Sequence, residues 1–283
     1  MKKRVFIQTN NKQILGAYIS KYSIEKYITD KDIKIELINT DELPEFKAFH
    51  GVEYLRNGKN IKYASNDLQS FTLTRFMPPE LMNFEGRALV IDPDVFALKD
   101  ISYLLSFDMS GKSVAACRKK DAWDTSMMVL DCSKLKNWRI SEILKKLTEK
   151  NLDYGDLISL RTENYQNILE VPRIWNNLDT LTPETYLLHT TNRLTQPWRT
   201  GLPIDFTMNN PGKILGLIPK KPILKILGKW PTHYEHNPDK NIEKFFFDIA
   251  KEAFMAGAFK KSDLEKAINS RDVRPDIFEK LGV

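Results

Sequence analysis

The sequence predicts an α/β fold with a mostly parallel, twisted sheet flanked by helices, followed by a small helical C-terminal appendage. Short apolar segments typical of strands alternate with segments of helical periodicity over roughly the first 200 residues. Six of the fourteen prolines then lie between Pro197 and Pro231, where long regular elements are not expected. Apolar residues return at helical spacing near the end of the chain. We therefore expect a domain over residues 1–205 and a proline- and lysine-rich connection with a helical tail over 206–283.

The elements of the first domain follow one another in a regular order. Apolar runs and period-two alternation predict the strands, spacing at three and four residues predicts the helices, and a polar stretch predicts a loop. We expect Pro78 and Pro79 to end the second helix, because the residue before a proline resists the helical conformation. The predicted elements are a strand over 4–9, a helix over 13–27, a strand over 33–39, a polar loop around 56–60, a helix over 66–77 and strands over 87–91, 113–117 and 126–132.

Two helices are predicted in the tail. The first presents one apolar face, and Gly257 is placed to cap its C-terminal end. Ser262 and Glu265 have the spacing of a capping box at the start of a second short helix through Ile268. The residues of the apolar face are Ile242, Phe246, Ile249, Ala250 and Ala253.

Composition sets the class of protein. The chain has 283 residues, of which 42% are hydrophobic and 28% charged, so it can bury a sizeable core and is not expected to be disordered. A net charge of +6 favours anionic partners. Cys117 and Cys132 lie in apolar stretches, as expected in a reducing compartment. No signal peptide or membrane-spanning run is apparent, and we expect a soluble, cytoplasmic protein.

Two acidic residues, Asp92 and Asp94, follow the predicted strand over 87–91. Ligands of α/β sheets bind beyond the carboxyl ends of strands, and side chains two residues apart in an extended chain point the same way. Two such carboxylates repel each other unless a cation lies between them, and their oxygens suit magnesium or manganese. Asp-Pro-Asp is also typical of a simple turn, because Asp bonds to nearby backbone and Pro fixes φ. The residues alone leave a metal–nucleotide site and a simple turn both open.

Residues 70–105 resemble the centre of glycosyltransferase family 8, whose members are retaining GT-A-fold enzymes that use nucleotide sugars. Arg75, Asp92, Asp94 and Asp100 match the family's arginine, its DxD motif and the following aspartate in order and spacing. The resemblance extends over roughly residues 4 to 205. It includes segments 124–132, 171–179 and 187–201, which are similar to the family's NSGVMLLD, LPxxWN and HFxGxxKPW motifs.

The resemblance implies a metal site and a donor site. Asp92, Asp94 and His189 match the family's ligands of a divalent ion, with manganese preferred over magnesium. Such an ion stabilises a diphosphate leaving group. Arg75 matches an arginine that contacts the donor.

Further residues match positions around the nucleotide and its phosphates. Thr9 and Asn10 stand at the nucleotide pocket, and Arg193 and Arg199, which bracket residues 194–198 within the last motif, are candidate phosphate ligands. Trp198, between them, is expected to anchor its loop in the core.

The sequence departs from the family pattern at several positions. Gln196 stands where the family has a phosphate-binding lysine, and Gly155 stands where it has a glutamine. Asp156 is retained beside Gly155, and Asp124 replaces an asparagine, so both carboxylates are expected to position sugar hydroxyls. Because Gly155 carries no nucleophile, we favour attack by the acceptor on the face from which the phosphate departs over a covalent intermediate.

The resemblance therefore implies a retaining, metal-dependent hexosyltransferase that uses a nucleotide-diphosphate sugar, with UDP as the carrier, and a glycan or lipid-linked acceptor. The alternative is a non-catalytic relative that only binds the sugar nucleotide. Residues 213–231 combine five lysines with apolar residues, as segments in peripheral contact with the inner membrane face do. Pro219 and Pro222 interrupt an amphipathic helix, which favours a packed, proline-kinked connection over membrane contact. Nucleic acid is not an expected partner, because no aromatic residues are interleaved with basic ones in a stacking motif.

Overall fold

The computed structural model describes residues 1–206, 212–214 and 218–283. Its strands and helices, in chain order, give the element labels used below. The strands are β1 (Lys3–Thr9), β2 (Lys34–Asn39), β3 (Glu53–Arg56), β4 (Lys59–Lys62), β5 (Arg87–Ile91), β6 (Val95–Ala97), β7 (Val114–Lys119), β8 (Ala122–Asp131), β9 (Ile168–Glu170), β10 (Asn177–Leu178), β11 (Leu187–His189), β12 (Lys213–Ile214) and β13 (Ile218–Pro219). The α-helices are α1 (Ile14–Tyr27), α2 (Pro44–Ala48), α3 (Pro78–Leu81), α4 (Ile140–Thr148), α5 (Tyr154–Leu157), α6 (Lys220–Ile226), α7 (Lys240–Met255), α8 (Lys261–Asn269) and α9 (Ile277–Leu281).

A six-stranded sheet in the order β2-β1-β5-β8-β7-β9 forms the centre of the fold. The pairs β1–β2, β1–β5 and β7–β9 are parallel, whereas β8 runs antiparallel to both of its neighbours. Alternate residues of β5 enter two separate apolar cores, with Val90 on one face of the sheet and Leu89 and Ile91 on the other. The predicted α/β class with a largely parallel, helix-flanked sheet is confirmed.

A smaller sheet has the order β10-β11-β6, and the three residues Asp-Pro-Asp separate its strand β6 from the carboxyl end of β5. β6 and β11 are antiparallel, with Val95 opposite His189. The Thr190 N–H donates to the Asp94 carbonyl at 3.0 Å, which extends this pairing past the strand ends. This register brings the end of β11 beside the Asp-Pro-Asp segment, which is far from it in the sequence.

Three predictions in the first domain are wrong. The expected loop around 56–60 is the turn of a β3–β4 hairpin, in which Asn57 and Gly58 have φ values of 51° and 72°, as a type I′ turn requires. Residues 66–77 do not form an α-helix; the regular part is a buried 3-10 segment, Ser70–Phe76. The two prolines begin α3 instead of ending a helix, because the first helical positions need no N–H donor.

The tail forms the predicted helices and packs on the first domain. The buried residues of α7 are the five predicted ones, and the Phe246 ring stacks on the Trp198 indole at a centroid distance of 4.8 Å. Gly257 has a φ of 76° just after α7, as a capping glycine should. The capping box predicted from Ser262 and Glu265 is wrong: the Asp263 carboxylate accepts the Lys260 N–H at 2.7 Å, so α8 begins earlier. A boundary at residue 205 stays a prediction.

The described helices include none with the length and apolar character needed to cross a membrane. Part of the basic segment over 213–231, namely residues 215–217, lies outside the described residues.

Candidate active site

Three potential metal ligands converge at the carboxyl end of β5. Asp92 follows the strand directly, Asp94 precedes β6, and His189 ends β11. One ligand atom from each side chain lies within 4.8 Å of the other two, and all three residues are buried. Two carboxylate oxygens and one imidazole nitrogen form a donor set that suits a divalent ion such as Mn²⁺. The convergence that the resemblance implied is therefore present in the fold.

Asp92 is a buried carboxylate with two donors. Arg75 Nη2 donates to Asp92 Oδ1 at 3.0 Å, and the Gln8 amide donates to the same oxygen. Gln8 is correctly placed because Ile7 of β1 pairs with Ile91 of β5. Burial raises the pKa of Asp92 to about 6, against the opposing effect of Arg75.

The ring of His189 is oriented by its second nitrogen. Nδ1 lies 3.0 Å from Asn176 Oδ1, which can only accept, so Nδ1 carries the proton in neutral His189. Nε2 then faces Asp94 Oδ1 at 3.3 Å with its lone pair available for a metal. Burial lowers the pKa of His189, but the Asp94 carboxylate outweighs this effect and leaves that pKa raised in the metal-free protein.

Asp124, on β8, is held ionised. Burial would raise its pKa, but Lys119 Nζ at 3.3 Å, the Ser126 hydroxyl at 2.6 Å and Arg173 Nη1 at 2.8 Å lower the pKa well below its usual range. Only Arg173 contacts Oδ2 among the described residues, which leaves this oxygen able to accept another hydrogen bond.

These groups line one open cleft with a cavity volume of about 280 Å³. Six of the residues predicted for the site lie along it: Arg75, Asp92, Asp94, Asp124, His189 and Arg193. The Arg193 guanidinium lies 4.6 Å from the centroid of the Phe206 ring and makes no ion pair with any described residue, so it remains available to an anion.

The structure does not bring the other four predicted residues to the cleft lining that it describes. Thr9 is fully buried, and the Asn10 side chain bonds the backbone of Asp67 and Leu68 and caps Gln13. The Arg199 guanidinium is buried, donates to the Lys12 carbonyl at 2.7 Å and lies 3.9 Å from Asp272 Oδ1, so it connects the first domain to the tail.

Asp156 is the fourth residue away from the cleft. Its side chain is 50% exposed and pairs with Arg161 at 3.1 Å on the surface. Trp198, by contrast, is fully buried among Phe96 and Phe246, so it packs as the expected anchor.

The structure shows what contacts Gly155 and Gln196, two residues that depart from the family pattern. A Cβ at Gly155 would lie 2.1 Å from Asn57 Oδ1, so the β3–β4 hairpin occupies the space that a larger residue needs. Gln196 donates from Nε2 to Asp94 Oδ2 at 3.0 Å, so the residue in the lysine position supports a metal-ligand candidate.

Several site residues were not predicted from the sequence. Gln8 lies near the carboxyl end of β1, which pairs with β5, and Asp92 directly follows β5. Its position at the same edge of the sheet is a signal that could have identified it. Ser126 and Asn176 lie inside motifs that were recognised, but their contacts with His189 depend on the tertiary structure. Arg56 reaches the cleft from the unpredicted hairpin.

Comparisons with known proteins agree with this geometry. The model of the family described as Glycosyl transferase family 8 matches residues 4–195. No curated protein sequence matches the chain.

Solved structures share the fold. The glycosyltransferase GlyE of Streptococcus pneumoniae TIGR4 is 16% identical, with a TM-score of 0.54 over 97% of this chain and 65% of GlyE. An active-site mutant of LgtC is 14% identical, with a TM-score of 0.51 over 86% of this chain and 99% of LgtC. The bifunctional glycosyltransferase WbbM is 14% identical, with a TM-score of 0.52 over 70% of this chain and 47% of WbbM. The chain thus spans less than two thirds of GlyE and of WbbM.

Proposed function

The chain belongs to glycosyl transferase family 8 and is a glycosyltransferase, and from this premise we propose that it transfers a hexose from a nucleotide-diphosphate sugar, with UDP as the carrier, to a glycan or lipid-linked acceptor. We propose further that transfer depends on a divalent ion, Mn²⁺ in preference to Mg²⁺. The observation that carries the proposal is the convergence of Asp92, Asp94 and His189 at one end of the cleft.

The surrounding residues support this assignment of the metal site. The Gln196 amide orients Asp94, and Asn176 orients His189, so two of the ligands are held before any ion arrives. A bound divalent ion would stabilise the charge that develops on the diphosphate as the sugar bond breaks.

Arg75 and Arg193 are the candidate donor ligands among the cleft residues. Arg75 is already fixed by Asp92 and by the Thr125 hydroxyl, and its Nε has no hydrogen-bond partner among the described residues. Arg193 adds a second cation to the cleft lining, with its guanidinium 4.6 Å from the centroid of the Phe206 ring. We propose that these two arginines, and not the buried Arg199, replace the family's lysine in binding phosphate.

The same geometry favours attack on the face from which the diphosphate leaves. The carboxylates along the described lining are Asp92, Asp94 and Asp124, and each already contacts an arginine, a histidine or a lysine. In our proposal the acceptor oxygen forms a bond to the anomeric carbon while the bond between that carbon and the oxygen of the donor phosphate breaks. The departing phosphate oxygen takes the proton of the acceptor hydroxyl. Asp124 holds a sugar hydroxyl through Oδ2.

Turnover of nucleotide sugars tests the proposal. UDP-hexoses with and without Mn²⁺ are assayed for hydrolysis or transfer, in the wild type and in Asp94→Asn. Asp32→Asn removes an exposed aspartate of a distant turn and is the matched control. We expect Mn²⁺-dependent turnover that Asp94→Asn abolishes and Asp32→Asn preserves. Binding of UDP-sugar without any turnover would favour the non-catalytic alternative, and turnover in excess EDTA would refute the metal requirement.

We also propose peripheral contact with anionic membranes through the described part of residues 213–231. Ile226 and Leu227 are 85% and 59% exposed, and Lys221, Lys225 and other basic residues surround them. Co-sedimentation with phosphatidylglycerol vesicles should exceed that with phosphatidylcholine vesicles and should decrease in Ile226→Ser. Absence of binding at low salt would remove this proposal.

A further inference from the structure

Arg56 is a cation of the cleft without a partner of opposite charge among the described residues. It is the last residue of β3, and it lines the cleft. Its guanidinium lies 4.9 Å from the centroid of the Tyr154 ring, which is itself buried. Stacking on an aromatic ring orients a guanidinium and leaves its in-plane N–H donors free for an acceptor.

The hairpin that carries Arg56 is fixed to the start of α5. The Asp153 carboxylate accepts the Asn57 N–H and the Gly58 N–H, both at 2.8 Å, and Leu55 forms a parallel bridge with Asp153. The Asn57 side chain at the hairpin tip also packs against Gly155, where an added Cβ would lie 2.1 Å from Asn57 Oδ1. These contacts fix the backbone of the hairpin and so hold Arg56 beside the cleft. A residue on an unattached loop would not be held in this way.

The charges near the metal-ligand candidates are largely matched. Asp92 pairs with Arg75, and Asp124 pairs with Lys119 and Arg173. A divalent ion at the metal-ligand candidates and the diphosphate of a donor would largely neutralise each other. Arg193 and Arg56 then remain without ion-pair partners among the described residues. Because the proposed function assigns Arg193 to the donor phosphate, the charge of Arg56 favours an anionic second substrate.

A second observation indicates that a ligand supplies hydrogen-bond acceptor atoms to the cleft. Trp123 and Arg75 line the same cleft and are 4% and 6% exposed. Trp123 Nε1 and Arg75 Nε are donors without hydrogen-bond partners among the described residues. Buried donors are normally satisfied, so unpaired ones along a cleft favour a ligand with acceptor oxygens. Because the proposed function assigns Arg75 to the donor phosphate, Trp123 Nε1 is the unpaired donor that is left for a second ligand.

We propose that the acceptor carries an oxyanion, a phosphate or a carboxylate, and that Arg56 binds this group. The inference rests on the proposed function, because it assumes that the donor occupies the diphosphate side of the cleft. Arg56 acts here as a specificity-determining residue: its planar N–H pairs match the two oxygens of a phosphate or carboxylate.

The test measures anion binding to the complex with Mn²⁺ and UDP by calorimetry or NMR. Glycerol 3-phosphate and glucuronate are the phosphate and carboxylate probes, and glycerol and glucose are their neutral counterparts. Arg56→Gln is compared with Lys59→Gln, which removes the same charge from the exposed residue opposite Arg56 in the hairpin. We expect one anionic probe to bind, the neutral ones to bind more weakly, and Arg56→Gln to weaken the anion about tenfold while Lys59→Gln has little effect.

The outcomes separate the two proposals. Equal effects of Arg56→Gln and Lys59→Gln, or no anion binding to the complex, would overturn the Arg56 site while leaving the metal-dependent donor site intact. The Arg56 site would also be overturned if Arg56→Gln weakened the binding of UDP-glucuronate and left the binding of UDP-glucose unchanged. The oxyanion would then belong to the donor. If Mn²⁺ and UDP do not bind at all, the proposed function fails, and the same titrations without nucleotide decide whether Arg56 binds anions.

Discussion

Replacement of Asp92 by asparagine should stabilise the metal-free protein while it destroys the metal site. Burial raises the pKa of Asp92 from 3.8 to about 6, although Arg75 and Gln8 both donate to the carboxylate. At neutral pH the folded protein therefore carries a charge that its surroundings disfavour. A rise of this size corresponds to about 3 kcal/mol of unfolding free energy. The substituted amide would keep the shape and an acceptor oxygen without the charge.

We expect Asp92→Asn to raise the free energy of unfolding by about 1–3 kcal/mol at pH 7.5 in EDTA. This range requires that the new amide oxygen still accepts a hydrogen bond from Arg75 Nη2, because a buried arginine left without an acceptor would cost several kcal/mol and reverse the sign. The measurement is urea unfolding followed by circular dichroism, with the exposed Asp32→Asn as control.

The dependence on pH has a definite sign. Because the pKa of Asp92 is higher in the folded state than in the unfolded state, the folded state binds more protons between about pH 4 and 6. This residue therefore makes the wild type less stable as the pH rises through that window, and the advantage of Asp92→Asn should disappear near pH 4. An Asp92→Asn protein that is less stable than the wild type in EDTA at pH 7.5, or an advantage that persists at pH 4, would refute the reasoning.

Three further substitutions test other parts of the structure. Gly155→Ala should cost about 1–3 kcal/mol of stability, and most of this cost should vanish in an Asn57→Gly background, as measured by urea unfolding; equal costs in both backgrounds would contradict the observed contact. Trp198→Ala should lower the free energy of unfolding by about 3–5 kcal/mol because its stacking on Phe246 is lost, and a cost below about 1 kcal/mol would contradict the anchoring role. Arg193→Gln should raise KM for the nucleotide sugar about tenfold in steady-state assays, and an unchanged KM would exclude a phosphate contact.

The main strands and the tail helices could be predicted because their residues follow simple patterns. β1 and β5 are runs of buried apolar residues, and the buried face of α7 repeats at helical spacing. The β3–β4 hairpin lacks such a pattern, since every residue of β4 is exposed. Its only local signal is the Asn57-Gly58 pair, which favours a tight turn and was interpreted as part of a loop.

The metal-ligand candidates could be predicted only in part from physical reasoning. The side chains of Asp92 and Asp94 are linked by local geometry, but His189 joins them through the three-residue strands β6 and β11. Neither strand is long enough to be recognised by periodicity, so the resemblance supplied that connection. Arg199 illustrates the opposite failure, because nothing local distinguishes a buried arginine that ties two parts of the chain from one that binds phosphate.

The cleft concentrates features that oppose stability in the protein without ligands. Asp92 is a buried carboxylate with a raised pKa, and Gln13 Oε1, Arg75 Nε, Trp123 Nε1 and Gln196 Oε1 are buried polar atoms without partners among the described residues, all on residues that line it. Unpaired buried polar atoms each cost on the order of 1–3 kcal/mol, so their accumulation in one place needs a compensating gain. A bound ion would satisfy the carboxylates, and the oxygens of a ligand would satisfy the two free donors, Arg75 Nε and Trp123 Nε1. Hydroxyl groups of a ligand would donate to the two free acceptors, Gln13 Oε1 and Gln196 Oε1. The folded protein already bears the cost of holding these groups in place. We therefore expect ligands to bind more tightly, and to raise the free energy of unfolding more, than their contact area alone predicts.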